Sequence, residues 1–234
     1  MKFWVLMALL CSGMSIFTKD IKVVLFPFQE TQIAARLDSV VMPYRFRVGE
    51  AFKKGETICL LDPSRYELEV KKIRNHYEFS KAVFEDKKKL HSNKFTSDYE
   101  FKKAEFDMNL AAISLEEAKL NLSFCTIAAP FDGKITEVIT KEYESCRSGQ
   151  VLVRILNDRF LLATANVPMH EKNLSQIGHS IAIKLLDGTS VSGTVYEVSP
   201  QADHRSETVR IKILIDNRNR NITSGTTGIL HYGK

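Results

Sequence analysis

A small set of acidic and histidine side chains would suit an exported hydrolase on a β scaffold, in which a histidine acts as general base and a carboxylate orients it. Asp132, however, lies in the turn phrase 129–133, where its Asp-Gly pair suits a tight hairpin. His204 and Glu207 lie in a polar loop between strands, and the chain has neither GxxxxGK[ST] nor GxSxG. The sequence therefore indicates that the protein is not an enzyme. The set comprises Asp132, His179, Asp203, His204 and Glu207.

Thiol and imidazole groups do not form a recognisable metal site. No CxxC occurs, and the six histidines are scattered along the chain. Cys59 and Cys125 flank a helical stretch, so a disulfide at its base is one interpretation. The alternative is that Cys59, Cys125 and Cys146 are small buried apolar residues. We expect no metal and no cofactor.

Composition excludes further classes of function. The chain has 234 residues, 44% hydrophobic and 26% charged, with a net charge of +5. Its lysines are spread along helical stretches among acidic residues, and no basic patch is interleaved with aromatic residues. Nucleic acid is therefore not an expected partner.

The N-terminus predicts export. Lys2 is followed by the apolar run 3–10 and then by small residues, which is the layout of a secretory signal. Residues 1–15 are thus a signal peptide or an N-terminal anchor, while lipidation at Cys11 is disfavoured by Leu10. No later stretch is long and apolar enough to span a bilayer.

Two short β units repeat across the chain. Residues 48–62, VGEAFKKGETICLLD, align with the later segment 127–156 when Gly55 is placed on Gly149. In this alignment Glu50 matches Glu144 and Ile58 matches Leu152. Tyr143 stands where a second glycine would match Gly49, which leaves a different turn geometry open. The repeat predicts one β module in two halves.

The stretch between the halves predicts a helical hairpin. Residues 64–90 and 97–123 contain no Gly or Pro and are separated by a polar break. Antiparallel helices of this length suit a two-stranded coiled coil about 40 Å long, whose alternative is packing on a globular core. The predicted apolar row of the first helix is Tyr66, Val70, Ile73, Tyr77 and Phe84. That of the second is Phe106, Leu110, Ile113, Glu117, Leu120 and Phe124.

After residue 124 the pattern changes to period two. Strands are predicted at 134–140, 150–156, 160–167, 180–185, 190–198, 207–215 and 228–231, with a short helix within 168–176 and an earlier strand at 22–28 that Pro27 interrupts. Close spacing of the later strands suggests a small antiparallel barrel. The fold class is therefore α+β, mainly β.

This order of elements resembles the HlyD-like membrane fusion proteins, or periplasmic adaptors, of Gram-negative bacteria. The matching phrases are VGEAFKKGETICLLD, AAPFDGKI, ESCRSGQVLVRI, IGHSIAIKLLDGTSVSGTVYEVSPQAD, SETVRIKILIDN and SGTTGIL. The resemblance implies a lipoyl-like domain in two halves (34–62 and 125–158), an α-helical coiled-coil hairpin (63–124) and a β-barrel domain (19–33 and 159–234). A membrane-proximal domain is expected to be absent.

The resemblance also implies a function. Such adaptors link an inner-membrane transporter, ABC or proton-driven, to an outer-membrane channel, as a homo-oligomeric ring in the periplasm, with or without an N-terminal anchor. The family's tip motif has Arg, then Leu four residues on and Ser seven residues later. Leu90 and Ser97 keep that spacing, whereas Asp86 replaces the Arg. The implied channel-contacting residues are Leu90 and Ser97 together with the neighbouring basic residues Lys87, Lys88 and Lys89. The alternatives are that Leu90 is the last core layer of the coiled coil and that Ser97 is a helix N-cap.

Two other interpretations remain open at this point. A biotin- or lipoate-type carrier subunit needs a modifiable lysine in a hairpin turn, and residues 41–44 offer none. A metal-efflux adaptor that binds its substrate directly would want clustered methionines, but Met42, Met108 and Met169 are far apart.

Overall fold

The computed structural model describes residues 19–219 and 222–232. The predicted signal peptide or anchor at residues 1–15, with Cys11, lies outside the described residues. The chain divides into two compact units, one of Gln29–Asn157 and one of Met1–Phe28 with Asp158–Lys234. The domain limits derived from the resemblance stay a prediction.

The first unit contains the interrupted β module. Its strands are the second part of β1 (Lys19–Ala34), β2 (Ser39–Val40), β3 (Ala51–Phe52), β4 (Thr57–Leu60), β5 (Thr126–Ala128), β6 (Gly133–Val138), β7 (Ser145–Cys146) and the first part of β8 (Val151–Pro168). Strands from before and after the helices pair antiparallel, β2 with β7, β3 with β6 and β4 with β5. The two sequence halves therefore interlock into one module.

The internal repeat is visible in the backbone hydrogen bonds of this module. Gly55 N donates to Ala129 O at 2.8 Å, and Gly149 N donates to Ala35 O at 2.8 Å. The donors lie 94 positions apart, and so do the acceptors, so each half gives the other the same bond. The side chains follow the same relation, because the buried residues Ile58 and Leu152 are also 94 positions apart.

The turn at Tyr143 does not differ from its counterpart. Tyr143 has φ of 63°, and the matching Gly49 has φ of 87°, so both adopt the left-handed backbone conformation. The sequence left a different turn open because a bulky residue rarely takes positive φ. Here the hydrogen bonds of the repeat impose the turn on tyrosine.

The second unit is an antiparallel barrel. It contains the first part of β1, the second part of β8, β9 (Ser180–Leu185), β10 (Ser190–Asp203), β11 (Thr208–Asp216) and β12 (Thr227–Tyr232), with a 3₁₀ turn at Lys172–Ser175. The strand order is β1-β12-β9-β10-β11-β8, and β1 also pairs with β8, which closes the ring of strands. Its core is aliphatic and includes Leu161, Ile183, Ile211, Ile213 and Leu230.

Two predicted strand limits were wrong. The strands predicted at 150–156 and 160–167 form the single strand β8, because the polar residues between them stay extended where the chain passes from one unit to the other. Pro27 does not interrupt β1. The ladder between β1 and β12 runs from Lys19 to Val24, so the missing amide of Pro27 removes none of its bonds.

Helices α1 (Ser64–Ser92) and α2 (Asp98–Ser123) form the predicted hairpin between β4 and β5. At 1.5 Å per residue they are about 44 and 39 Å long. Each packs on the other, and only residues at their base, Tyr66, Leu122 and Phe124, pack against the core of the β module. The two helices therefore do not lie flat on a globular core.

Candidate functional site: the helical hairpin and its tip

The hairpin begins and ends at adjacent points of the β module. Asp62, after β4, accepts hydrogen bonds from Ser64 N at 3.0 Å and from Ser64 Oγ at 2.6 Å, and these bonds lower the pKa of Asp62. Leu61 N donates to Cys125 O at 2.7 Å, which joins the two ends of the insertion. Tyr66 Oη donates to Asp38 O at 2.8 Å and fixes the first turn of α1.

The seam between α1 and α2 repeats at spacings of three and four residues, as in a coiled coil. On α1 it contains Val70, Ile73, Tyr77 and Phe84 of the predicted row, and also Ser80, whereas Tyr66 packs against the core of the β module. On α2 its buried members are smaller, since three of the four are alanines. They are Ala104, Ala111, Leu115 and Ala118.

The apolar row predicted for α2 was wrong. Phe106, Leu110, Ile113 and Leu120 are 53–64% exposed, and Glu117 lies among them, also exposed. At 100° per residue this row lies on the face of α2 opposite the alanine-rich seam. α2 therefore carries two rows of residues at heptad spacing, the alanine-rich seam and the row of larger side chains. The larger side chains led to the wrong prediction of which row faces α1. We call Phe106, Leu110, Ile113 and Leu120 the outer row.

A groove opens between the helices beside the seam. It has a volume of about 350 Å³ and is lined by apolar side chains of both helices together with His76 and Asp107. Phe79 and Val83 of α1 and Leu110 of α2 are exposed along it. Leu110 thus belongs both to the groove and to the outer row.

Backbone and cap hydrogen bonds order the turn at the tip. Phe95 N donates to Leu90 O at 2.8 Å, and Lys94, with φ of 61°, reverses the chain. Ser97 is the N-cap of α2, because its side chain accepts a hydrogen bond from Glu100 N at 3.2 Å.

Side-chain contacts cross-link the two helices at the same level. Glu100 Oε2 accepts from Thr96 Oγ1 at 2.6 Å and from Lys87 Nζ at 2.9 Å, and these interactions lower the pKa of Glu100. His91 Nε2 lies 2.7 Å from Asp98 Oδ1, and this hydrogen bond lowers the pKa of Asp98. The His91 ring also stacks on Phe101 with centroids 4.7 Å apart. The tip is therefore a cross-linked turn.

The predicted contact residues differ in their surroundings. Leu90 is 42% exposed, so it is not a buried final layer of the coiled coil. Lys88 and Lys89 are exposed, and Lys89 lies 3.7 Å from Asp86. Lys87 pairs with Glu100, and the hydroxyl of Ser97 caps α2. Their role in partner binding stays a prediction.

Sequence reasoning missed two aromatic residues at the tip. Phe95 is 78% exposed and Tyr99 is 75% exposed, on either side of the α2 cap. Their signal was available, because Phe95 stands in the polar break and Tyr99 stands in the first turn of α2 outside the predicted apolar row, so neither had a core position to fill.

Cys59, Cys125 and Cys146 are buried free thiols, so the disulfide between Cys59 and Cys125 is not formed and the apolar interpretation holds. Burial raises the pKa of Cys59 to about 12 and also raises that of Cys125. Such thiols are poor nucleophiles and poor metal ligands at neutral pH.

The carboxylates of the imagined catalytic set hold turns. Asp132 Oδ1 accepts from Lys54 N at 2.8 Å. Asp203 Oδ1 accepts from Arg205 N at 2.8 Å and from Ser206 N, and these bonds lower the pKa of Asp203. Across residues 19–219 and 222–232, no group of three His, Cys, Asp or Glu side chains could hold a metal ion. Nor does this part of the chain contain a helix long and apolar enough to cross a membrane.

Comparison with known proteins agrees with this architecture. Residues 163–233 match the family model described as CusB-like, beta-barrel domain. The nodulation protein NolF of Rhizobium meliloti is 22% identical over 209 residues, which cover 82% of this chain and 57% of that relative. The chain therefore spans just over half the length of this curated relative.

Two solved structures share the fold at low identity. A MacA-MexA chimera that contains the Pseudomonas aeruginosa MexA α-hairpin domain has a TM-score of 0.79 and 15% identity, covering 92% of this chain and 80% of the chimera. The membrane fusion protein Spr0693 of Streptococcus pneumoniae has a TM-score of 0.72 and 12% identity, covering 92% and 98%. Residues 163–233 therefore correspond to a CusB-like β-barrel domain, and the chain has the fold of the membrane fusion proteins that its sequence resembles.

Proposed function

We propose that this chain is a periplasmic adaptor that links an inner-membrane transporter to an outer-membrane channel for export of a small molecule or a protein. The observation that carries the proposal is the hairpin. It is about 40 Å long, touches the β module only at its base, and presents an exposed apolar row along α2. A bridging protein needs the length of such an extension, whereas a catalytic site within a globular domain does not require it.

Copies of the chain assemble side by side in a ring, with their hairpins adjacent. The outer row supplies the apolar contact, because four large side chains at heptad spacing form a second seam on α2. Charge sets the pairing. α1 has eight basic and five acidic side chains, a net of +3, while α2 has three basic and six acidic, a net of −3. Packing α2 of one copy against α1 of the next brings opposite charges together.

A head-to-tail contact of this kind closes into a ring when its rotation allows, so weak contacts add up through effective concentration. The tip of each hairpin meets the channel, where Leu90, Ser97 and Lys87–Lys89 are the predicted contact residues. The β module and the barrel dock on the transporter, which supplies the energy. The adaptor itself does no bond chemistry.

The alternatives have less support. A carrier subunit would display a lysine in the turn from which the helices leave, and that place is taken by α1 and α2. A metal-efflux adaptor with its own substrate site would need clustered ligands, which the described residues do not provide.

The test is a two-sided co-purification from the native host. The tagged chain should bring down both an inner-membrane transporter and an outer-membrane channel. A variant in which residues 64–123 are replaced by a short Gly-Ser linker should retain the transporter and lose the channel. A short linker can close the gap because the hydrogen bond from Leu61 N to Cys125 O already holds the two ends of the insertion together. Retention of the channel by that variant, or absence of both partners from the full chain, would refute the proposal.

A further inference from the structure

The tip of the hairpin carries an apolar patch that the fold does not use. Phe95, Tyr99 and Leu90 are 78%, 75% and 42% exposed. We call these three residues the tip patch. An aromatic side chain that is this exposed contributes little hydrophobic stabilisation to the fold of its own chain, because most of its apolar surface stays in water.

The tip patch stands on an ordered platform. The bond from Phe95 N to Leu90 O links two of its members, and the Ser97 cap sets the first turn of α2, where Tyr99 lies. The contacts of Glu100 with Lys87 and of His91 with Asp98 join the helices beneath it. A partner that binds here orders little additional backbone, so the entropic cost of binding is low.

The ionic groups nearby are largely engaged within the hairpin. Lys87 pairs with Glu100, Lys89 lies near Asp86, and the Ser97 hydroxyl accepts a backbone amide. Within the described chain, Lys88 and Lys94 have no carboxylate at salt-bridge distance, and Lys88 Nζ lies 5.8 Å from the centroid of the Phe84 ring. Lys94 directly precedes Phe95 and Lys88 is two residues before Leu90, so two cations without a carboxylate partner are close in sequence to the exposed apolar side chains.

We propose that the tip patch is the anchor by which this chain recognises the channel, with Phe95 and Tyr99 entering apolar pockets that are rimmed by carboxylates. The inference rests on the proposed function and names the chemistry of its contact. Aromatic residues that fill pockets dominate binding energy at protein interfaces, whereas rim charges contribute mainly to orientation and rate. Lys88 and Lys94 supply the complementary charge. Ser97 and Lys87, which are also among the predicted contact residues, hold the platform through the α2 cap and the pair with Glu100.

The charges around the patch favour a protein over a lipid surface. Residues 86–100 contain four lysines and three acidic residues, a net charge of only +1. Asp86 and Asp98 are more than three quarters exposed beside the patch, and insertion into an anionic bilayer surface would bring them against like charge. A second copy of the chain would present the same lysines to each other. A protein pocket can place carboxylates opposite Lys88 and Lys94 alone.

The experiment is site-specific photo-crosslinking in the native host. A photoreactive amino acid replaces Phe95 or Tyr99, and a matched control replaces Leu68, an exposed apolar residue near the base of α1. Captured molecules are identified by mass, and the linked peptide is sequenced. We expect the photoreactive group at positions 95 and 99 to capture one outer-membrane channel, and the group at position 68 to capture none. The channel peptide that is linked should have Asp or Glu residues near it.

Substitutions separate the anchor from apolar residues exposed elsewhere on the hairpin. With the photoreactive group at position 99, Phe95→Ala should lower channel capture by about tenfold or more, since loss of a central aromatic anchor has at least that effect. Leu68→Ala removes an exposed apolar side chain near the base of α1 and should leave capture within about twofold. Circular dichroism should show unchanged helix content in each variant.

The opposite results overturn the inference. Capture of lipid or of another copy from position 95 would assign the patch to that partner. Undiminished capture in Phe95→Ala would show that the patch is not an anchor. If the full chain still co-purifies with the channel in either case, the proposed function survives and only this inference fails.

Discussion

Gly49 and Tyr143 occupy the same turn in the two halves of the β module, although one has no side chain and the other is among the largest. Gly49 N donates to Ile135 O at 2.8 Å, and Tyr143 N donates to Val41 O at 2.7 Å. The two donors are 94 positions apart, and so are the two acceptors. Reciprocal bonding between the halves therefore holds tyrosine at a backbone angle that favours glycine.

This relationship predicts that Tyr143→Gly stabilises the module. A non-glycine residue in the left-handed conformation costs about 1–2 kcal/mol, while glycine loses about 0.5–1 kcal/mol more chain entropy on folding. The net gain in the free energy of unfolding should be about 0.5–1 kcal/mol. Urea unfolding, followed by circular dichroism, measures it.

The reciprocal substitution is the control. Gly49→Tyr meets no atom within 4 Å of its Cβ, so backbone strain alone should destabilise it by a similar amount. Tyr143→Ala removes the ring but keeps the strain, and it should not be stabilising. If Tyr143→Ala and Tyr143→Gly unfold at the same urea concentration, strain is not the cause.

The outer row of α2 predicts a separation between folding and assembly. Ile113→Glu and Leu120→Glu place charge on exposed positions, so the free energy of unfolding should change by about 0.5 kcal/mol or less. Self-association, measured by sedimentation over a concentration series, should weaken strongly because the apolar contact is lost. Leu115→Glu is the matched seam variant, and burying its charge should cost helix content. If both outer-row variants sediment as the wild type does, copies of the chain do not associate through the outer row of α2.

Ser97 predicts a local effect at the tip. Ser97→Ala removes the acceptor for Glu100 N and should destabilise the start of α2 by about 1 kcal/mol. Hydrogen exchange of the amides of Glu100 and Phe101, which donate to Ser97, should accelerate about fivefold, while amides near Leu115 stay protected. Ser97→Asp keeps a cap acceptor and should restore slow exchange. Equal exchange in wild type and Ser97→Ala would mean that the cap contributes nothing.

Local patterns determined how much of this fold could be predicted from the sequence. The 94-residue repeat and the absence of Gly and Pro between 64 and 90 identified the interrupted β module and its hairpin. Both patterns can be read along the sequence without knowing which side chains meet in the fold. The face of α2 that meets α1 could not be derived in this way. Both rows have heptad spacing, and the choice depends on how the narrow seam accommodates Ala104 and Ala111 rather than Phe106 and Ile113.

The tip shows the same distinction between a pattern and its partners. Spacing selected Leu90 and Ser97, and the cap of α2 by Ser97 is a local feature that the sequence offered as an alternative. Spacing could not show that Lys87 would pair with Glu100 across the turn, because that contact depends on the register of the two helices. Register is a tertiary property, and it left Phe95 and Tyr99 as the exposed side chains.

The contact of His91 with Asp98 predicts that the tip loosens in acid. The hydrogen bond from His91 holds the pKa of Asp98 below its usual value of 3.8, so the folded carboxyl has the lower pKa. A carboxyl group whose pKa is lower in the folded state stabilises the folded tip at pH values above its unfolded-state pKa. This contribution is lost as the pH falls through its folded-state pKa. Glu100, whose pKa is also lowered, by Thr96 and Lys87, acts in the same direction.

Hydrogen exchange at the tip, corrected for its intrinsic pH dependence, should therefore show declining protection below about pH 4. In Asp98→Asn the acid-dependent loss should shrink, because an amide does not titrate and only Glu100 remains. In Asp98→Asn with Glu100→Gln it should vanish, with lower protection at neutral pH. A double variant that loses protection below pH 4 as the wild type does would assign the acid sensitivity to groups outside the tip.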